Sequence, residues 1–297
     1  MTSYSIRHNS KVYIVKDNLR YELQVYPNLT FSQTYEEKGH SVKTLHTQFD
    51  MFEKASITRA NPANFGFTVL IDKGGDFEVL RDWLIDTVGD SSVESLVTYD
   101  VYVDTGVHIF KLTKGVLTGA TFQVARDALI TVSLTGEATK LEKVPALVGV
   151  PQARTKADTF IPRQVEILKN GELVDNLMSV SVEFNNQVNW IDYETLHKSL
   201  YVATPEDTQY PEAFVVSSRS LSGTIRRYLT ELSSEPNQWQ LNVPLKIRIS
   251  DGTTDRLTFD IPSVVITTNI MPEEIYTETD TFRMTVSPDN LADVIKL

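Results

Sequence analysis

The sequence predicts a mostly β protein made of two copies of one unit, each a β-sandwich or small β-barrel with one helix. Two observations predict this fold. Short runs rich in β-branched and aromatic residues alternate with turn residues along the 297 residues. The order of these runs in the first half of the chain then recurs in the second half. An ordered recurrence of this kind indicates a tandem duplication.

The repeat is clearest at its start. Residues 11–18 (KVYIVKDN) align with residues 164–171 (QVEILKNG) at an offset of 153. Both segments alternate apolar and polar residues and then reach a turn pair, Asp-Asn or Asn-Gly. A pair of this type between alternating runs is a strong hairpin signal, because its residues tolerate positive φ. The same offset aligns residues 29–33 with residues 182–186.

The remaining elements follow in the same order in both halves. Residues 76–87 place apolar side chains at helical spacing, and residues 221–232 are the corresponding helix of the second half. A hairpin and a further pair of strands come after each helix. The expected segments are hairpins at 97–112 and 245–261, and strand pairs at 116–122 with 128–135 and at 263–270 with 281–287.

Composition divides the chain into units. Residues 144–162 contain three prolines and Gly149 and few long apolar side chains, which is typical of an extended linker. We therefore expect domains at 1–147 and 163–297, joined by a linker at 148–162. Residues 39–63 and 189–214 show no clear period and are predicted as long loops or arms. Loops of this length are usually functional or become ordered in an assembly.

The bulk composition excludes several classes of protein. The chain has no cysteine, which removes disulfides, cysteine-ligated metals and thiol nucleophiles. Its net charge of −11 argues against tight binding of nucleic acid, although DNA would pass such a surface without sticking. No apolar run has the length of a membrane span, and the N-terminus lacks the apolar stretch of a secretory signal. Synthesis in the cytoplasm and no membrane partner are expected.

Motifs for catalysis or for metal binding are missing from the sequence. The five histidines do not share a helical face, and His40 and His46 fall in a predicted loop. Residues 251–255 (DGTTD) lack the further acidic ligands of a calcium loop and fit a polar hairpin turn. There is no Gly-x-Ser-x-Gly nucleophile motif. We therefore predict that the protein is not an enzyme, with no catalytic, cofactor-binding or metal-binding residues.

The order of elements resembles a known family. A hairpin leads to a strand such as residues 178–186 (MSVSVEFNN), and then come a long arm, a helix and long antiparallel strands. This order resembles the tail tube proteins of long-tailed bacteriophages, of the kind in which one chain has two fused tube domains. That family is similar in fold to the type VI secretion tube protein. The resemblance covers the architecture of nearly the whole chain and includes no single diagnostic motif.

The resemblance implies how the protein functions. Tube proteins form rings that stack into a hollow cylinder, and a chain with two tube domains is expected to form a trimer with pseudo-sixfold symmetry in place of a hexamer. The strands expected at the lumen are 97–112, 116–135, 245–261 and 263–271, and the two arms are expected to contact the next ring. DNA would pass transiently and without sequence preference.

The same resemblance implies partners and location. Besides further copies of itself, the protein would contact a tape measure protein, a baseplate or tip protein, a terminator and, in a contractile tail, a sheath. It would be made in the host cytoplasm and would end in the virion tail.

Two alternatives remain open on the sequence. A tube-initiating, distal tail or baseplate protein of similar fold would stop after one ring, whereas a tube subunit would stack indefinitely. A carbohydrate- or receptor-binding β-sandwich would need clustered exposed aromatic side chains. The second arm offers a small set of these, namely Trp190, Tyr193, Tyr201 and Tyr210.

Overall fold

Strands make up most of the structure, as predicted. It is a computed structural model that describes residues 10–41, 52–71, 76–88, 95–125, 128–152, 164–191, 210–211, 213–230, 239–252, 255–286 and 293–296. These residues contain twenty-one strands and one helix.

The first half contains the helix and thirteen strands. They are β1 (Lys11–Lys16), β2 (Leu19–Leu23), β3 (Thr30–Ser32), β4 (Tyr35–Ser41), β5 (Phe52–Ala60), β6 (Ala63–Leu70), α1 (Asp76–Ile85), β7 (Thr87–Val88), β8 (Ser95–Leu96), β9 (Tyr99–Asp104), β10 (Ile109–Ala125), β11 (Thr131–Ala138), β12 (Lys140–Val144) and β13 (Val150–Pro151).

The second half contains eight strands, several of them long. They are β14 (Gln164–Lys169), β15 (Glu172–Leu173), β16 (Leu177–Ile191), β17 (Ala213–Tyr228), β18 (Trp239–Ser250), β19 (Asp255–Met271), β20 (Thr277–Met284) and β21 (Ile295–Lys296).

The first hairpin of each half has the predicted turn. Asp17 and Asn18 have φ of 49° and 64°, and Asn170 and Gly171 have φ of 54° and 81°. Positive φ at both central residues matches the twist of the flanking strands, and Asn, Asp and Gly adopt it at least cost. The sequence-based hairpins of β1 with β2 and of β14 with β15 are thus confirmed.

The two halves share one pairing order. In the first half, neighbouring strands pair in the order β2–β1–β9–β10–β11–β6–β3. In the second half the order is β15–β14–β18–β19–β20–β17–β16. The predicted alignment at an offset of 153 also holds in the registers, because Phe31 faces Phe65 in the first half and Phe184 faces Leu221 in the second.

A direct strand pairing joins the two halves. Residues 119–125 of β10 pair antiparallel with residues 179–185 of β16. The result is a sheet of eight strands, four from each half, in the order β3–β6–β11–β10–β16–β17–β20–β19. Behind it, Phe122 of the first half meets Phe259 of the second edge to face, with ring centroids 5.1 Å apart. The division into domains at 1–147 and 163–297 stays a prediction, and one hydrophobic core spans both ranges.

The predicted helix of the first half is confirmed as α1, and it is anchored by Trp83. This side chain is fully buried, stacks on Phe65 and Tyr99, and donates from Nε1 to the carbonyl oxygen of Gly115 over 2.9 Å. A buried indole stabilises the fold through its large apolar area, provided that its N–H has a partner. The helix is therefore fixed against β9 and the bend of β10.

The predicted helix at residues 221–232 is wrong. Residues 221–228 belong to β17, which pairs with β16 on one side and β20 on the other. Leu221 and Ile225 are four residues apart, a spacing that fits one face of a helix and also one face of a strand. Gly223 lies between them on the same buried face, and the long-range pairings decide in favour of the strand.

The predicted loop at residues 39–63 is also wrong where the structure describes it. Strands β4 and β5 form a two-stranded hairpin, and β6 begins at Ala63. In the second arm, residues 189–191 pair with residues 213–215. The centres of both arms, residues 42–51 and 192–209, lie outside the described residues. So do most of the predicted linker residues, although β13 runs beside β2 in an extended conformation.

Candidate functional site

The eight-strand sheet has two unlike faces. Side chains alternate between the faces of a strand, so each strand contributes to both. One face packs into the core through buried aromatic and aliphatic side chains, including Phe65, Phe122, Val182, Ile225 and Phe282. The opposite face presents mainly small, polar, uncharged side chains. We call this opposite face the polar face.

Rows of directly opposed residues define the polar face. Each row crosses the strands in the order β6–β11–β10–β16–β17–β20–β19, so both halves of the chain contribute to it. One row is Thr68, Ser133, Thr121, Glu183, Ser222, Arg283 and Val265, and the next is Leu70, Thr131, Gln123, Ser181, Thr224, Thr281 and Thr267.

Few charges lie on the polar face. Within the rows that run from Gly66 to Ser220, from Thr68 to Val265, from Leu70 to Thr267 and from Ala125 to Asn269, the charged residues are Glu183, Arg226 and Arg283. Arg226 also reaches Glu273 at 2.5 Å. These four rows are therefore close to neutral, whereas the whole chain has a net charge of −11.

The hydroxyl groups on this face bond to one another where they are close. Thr68 Oγ1 and Ser133 Oγ are 2.9 Å apart, and Asn28 Nδ2 donates to Thr68 Oγ1 over 2.6 Å. Among the described residues, no group of three or more His, Asp or Glu side chains is placed to hold a metal ion. The chemistry that the polar face offers is a layer of neutral donors and acceptors.

Sequence reasoning missed two acidic residues on the core side of the same sheet. Glu278 and Asp280 of β20 are 0% and 1% exposed. Glu278 pairs with Arg227 at 2.7 Å and Asp280 with Lys169 at 3.2 Å, while Thr268 donates to Asp280. The signal was present in the sequence, because both acids are an even number of residues from the buried Phe282 and must share its face.

Three groups with a raised pKa, Lys16, Asp86 and Tyr99, lie beside α1. Tyr99 is 3% exposed, and burial raises the pKa of its phenol. Burial opposes the charge of Lys16, but its interactions with Tyr99 and Asp82 prevail and raise the pKa of its ammonium group. Lys16 Nζ lies 3.4 Å from Asp82 Oδ2. These contacts hold the helix to β1 and β9.

The strands predicted to line a lumen fall in two places. Residues 116–125, 131–135 and 263–271 belong to the eight-strand sheet and contribute to the polar face. Residues 97–112 and 245–261 form hairpins beside it, in β9 with β10 and in β18 with β19. Strands β16 and β17 were not among the strands predicted at the lumen, although both are central in the sheet.

The aromatic residues of the second arm do not form an open cluster in the part of the arm that the structure describes. Trp190 donates from Nε1 to Glu137 Oε2 over 2.6 Å and packs on Phe214. The ring of Tyr210 lies 5.1 Å from Lys140 Nζ. Tyr193 and Tyr201 lie outside the described residues. A sugar-binding platform is not assembled from Trp190 and Tyr210.

A family match accords with this architecture. Residues 2–292 match the Bacteriophage Baseplate Tube Protein Family. The chain belongs to this family. A search of curated proteins finds no match. The predicted role as a structural bacteriophage protein is confirmed at this level, because membership of a baseplate tube family places the protein in the tail or baseplate of a virion.

Membership also fits the mostly β structure of this baseplate tube protein. Its helix α1 has ten residues. No helix in the described part of the chain is long and apolar enough to cross a membrane. The family match leaves open whether the chain stacks along the tube or stops at the baseplate.

Proposed function

We propose that three copies of this protein close a ring that forms part of the phage tube, through which DNA passes to the host. The pairing of β10 with β16 is the observation that supports this proposal. It joins two units of identical strand order edge to edge and produces one sheet of eight strands. A second joint of the same kind, between copies, would continue the sheet.

Closing the sheet would give β3 a partner on its second edge. The last strands of the eight-strand sheet are β3, from the first unit, and β19, from the second. A head-to-tail contact between such unlike edges makes a ring when the rotation closes. Three copies would supply twenty-four strands. At a strand spacing of about 4.8 Å and a tilt of about 40°, their barrel would be roughly 48 Å across, which is wide enough for duplex DNA.

The polar face would line this channel. Binding of DNA depends on cationic side chains that neutralise phosphates, and the four rows described above contain two arginines and one glutamate per copy. Its hydroxyl and amide groups would form only weak contacts with a passing duplex. DNA would therefore slide through without sequence preference, and neutrality, not acidic repulsion, would keep it from adhering.

The arms would connect rings. The β4–β5 hairpin forms a separate two-stranded sheet, and it would contact the next ring together with the second arm. The other partners in this proposal are the tape measure, the baseplate or tip, the terminator and a sheath in a contractile tail. The protein would be made in the host cytoplasm and act without catalysis.

The description of the family favours a second candidate. A baseplate tube protein would form one or a few rings at the baseplate and would start the tube instead of building its whole length. The two candidates use the same ring and differ in how far it stacks. Electron microscopy of the purified protein at rising concentration separates them.

The ring itself has a clear test in the same images. We expect end-on averages with threefold symmetry and a central hole. Side views should show long rods if the chain is a repeating subunit and short stacks if it is an initiator. A protein that remains monomeric at every concentration, with and without other tail proteins, would refute both candidates.

A further inference from the structure

The two halves differ at one strand edge. In the first half, β9 pairs with β10 as far as Gly115. Residues 119–125 of the same edge of β10 pair with β16. In the second half, β18 alone pairs with the equivalent edge of β19, as far as Thr267. Its first residues extend beyond the equivalent of β9, so that Trp239 pairs with Thr267 and Gln240 with Ile266.

The repeat shows which residues this extension covers. Ala120 corresponds to Ile266 in the repeat. Ala120 pairs with Leu134 of β11, Ile266 pairs with Phe282 of β20, and β11 and β20 have the same position in the shared pairing order. Residues 119–121 thus correspond to 265–267. Their partners in β16, residues 183–185, correspond to residues 30–32 of β3. Repeating the β10–β16 joint between copies would pair Thr30 with Thr267, Phe31 with Ile266 and Ser32 with Val265.

The faces of these residues agree with that register. Thr30 and Thr267 are both exposed on the polar face, while Ile266 is fully buried on the core side and Phe31 is half-buried on the same side. A slip of one residue would reverse every side chain. Within the described residues, β3 pairs on one edge only, with β6. The edge that the joint requires is therefore open on β3 and covered on β19.

The covering segment is weakly held. Pro244 has no N–H to donate, the register shifts on both sides of Val243, and Asn242 has φ of 55°. None of residues 239–244 is buried, and Trp239 is 68% exposed. The same strand beyond Pro244 is firmly packed, with fully buried side chains at Leu245, Ile247 and Ile249.

We infer that residues 239–242 cover the ring-forming edge of the free subunit and are displaced from β19 by β3 of a second copy. This inference rests on the proposed ring. It identifies the partner of the β19 edge as residues 30–32 of the same chain. It also gives the free subunit a reason not to polymerise early, because an edge that is already paired does not recruit another strand.

A disulfide tests the displacement cleanly, because the chain contains no cysteine. The variant Trp239→Cys with Thr267→Cys joins two directly paired residues, whose Cα separation suits a disulfide. We expect oxidation to reduce the fraction of protein in rings at least tenfold, and reduction of the same sample to restore it. The reduced sample controls for the substitutions themselves.

A matched control joins the same two strands beyond Pro244. Lys246 and Asp260 are directly paired, so Lys246→Cys with Asp260→Cys should form rings equally well when oxidised or reduced. Rings from the oxidised Trp239–Thr267 variant would refute the displacement alone and leave the proposed ring intact. No rings from the unmodified protein under any condition would refute the proposed function and this inference with it.

The proposed partner has its own measurement. Thr30→Cys with Thr267→Cys should give disulfides between copies, seen as dimers and trimers on a non-reducing gel of oxidised rings. Thr30→Cys with Asn269→Cys is the control, since Asn269 lies two residues out of register on the same face and should crosslink at least tenfold less. Equal crosslinking by both pairs would refute the register.

Discussion

Asn186 of the second half donates a hydrogen bond from Nδ2 to the carbonyl oxygen of Leu84, in the last turn of α1 in the first half, over 3.2 Å. The same nitrogen donates to the carbonyl oxygen of Leu117 over 3.0 Å. The side chain is 1% exposed. One amide of β16 therefore ties the end of the helix to β10, next to the strand pairing that joins the halves.

Replacing this amide should destabilise the fold. Asn186→Ala leaves two buried carbonyl oxygens without their donor, and we expect a loss of about 1–3 kcal/mol in the free energy of unfolding. The control is Asn185→Ala, at the neighbouring exposed position on the polar face, with a change within about 0.5 kcal/mol. Urea unfolding followed by circular dichroism measures both. Equal losses would mean that the buried bonds contribute nothing specific.

The contact of Phe122 with Phe259 predicts that the halves unfold together. Phe122→Ala removes a buried ring from a core that both halves share, and should cost about 3–5 kcal/mol. We expect one urea transition in the wild type and one, at lower urea, in the variant, whether followed by tryptophan fluorescence or circular dichroism. Two separate transitions, of which Phe122→Ala shifts only the first, would show that the predicted domains fold independently.

Local signals in the sequence gave the hairpins and the helix correctly. The pairs at Asp17-Asn18 and Asn170-Gly171 tolerate positive φ, a property of the residues themselves, and both turns are in place. The apolar spacing of α1 is similarly local. The offset of 153 was visible because the first hairpin of each unit and the strands around Phe31 and Phe184 keep their registers.

Long-range pairing could not be predicted in the same way. Leu221 and Ile225 fit a helix as well as a strand, and only their partners in β16 and β20 settle the choice. The β10–β16 joint, which creates the polar face, depends on pairs of residues 54 to 66 positions apart, from Ala125 with Ser179 to Gly119 with Asn185, and on nothing in the local pattern. Alternation with Phe282 assigns Glu278 and Asp280 to the core face, but their partners Arg227 and Lys169 come from distant strands and could not be identified from the sequence.

Gly223 is required by close packing. A Cβ on this residue would lie 2.1 Å from the carbonyl oxygen of Ser181 and 2.5 Å from the ring of Phe282, so backbone would have to move. We expect Gly223→Ala to cost about 2–4 kcal/mol. At Gly119, a Cβ would meet the Thr135 hydroxyl at 2.9 Å, and this side chain can rotate away. Thermal unfolding should show Gly119→Ala to be the milder variant, and the reverse ranking would contradict the argument.

Burial of Tyr99 predicts loss of stability at alkaline pH. Its raised pKa means that the folded state favours the neutral phenol. This contribution is complete below the ordinary tyrosine pKa of about 10 and is lost as the pH rises through the raised value. Tyr99→Phe keeps the ring against Trp83 and removes the titration. Between pH 8 and pH 11 its urea midpoint should therefore fall less than that of the wild type.

Two other tyrosines, one buried and one exposed, are compared with Tyr99. Tyr102 is 1% exposed and burial raises its pKa as well, so the double variant Tyr99→Phe with Tyr102→Phe should resist alkaline pH further. Tyr228 is 43% exposed and serves as the surface control, as Tyr228→Phe. An alkaline loss in Tyr99→Phe equal to that of Tyr228→Phe would show that Tyr99 does not titrate in this range.

The buried ion pairs of β20 should matter far more than their exposed counterparts. Glu278→Gln removes the charge that faces Arg227 at 2.7 Å in the core, and breaking a buried ion pair costs about 3–5 kcal/mol. Asp260→Asn breaks contacts with Lys246 and Lys296 at the surface, where solvent screens the charges and the cost is about 0–1 kcal/mol. Urea unfolding at pH 7 should separate the two variants by at least about 2 kcal/mol. Similar stabilities would mean that water reaches Arg227 once the glutamate charge is removed.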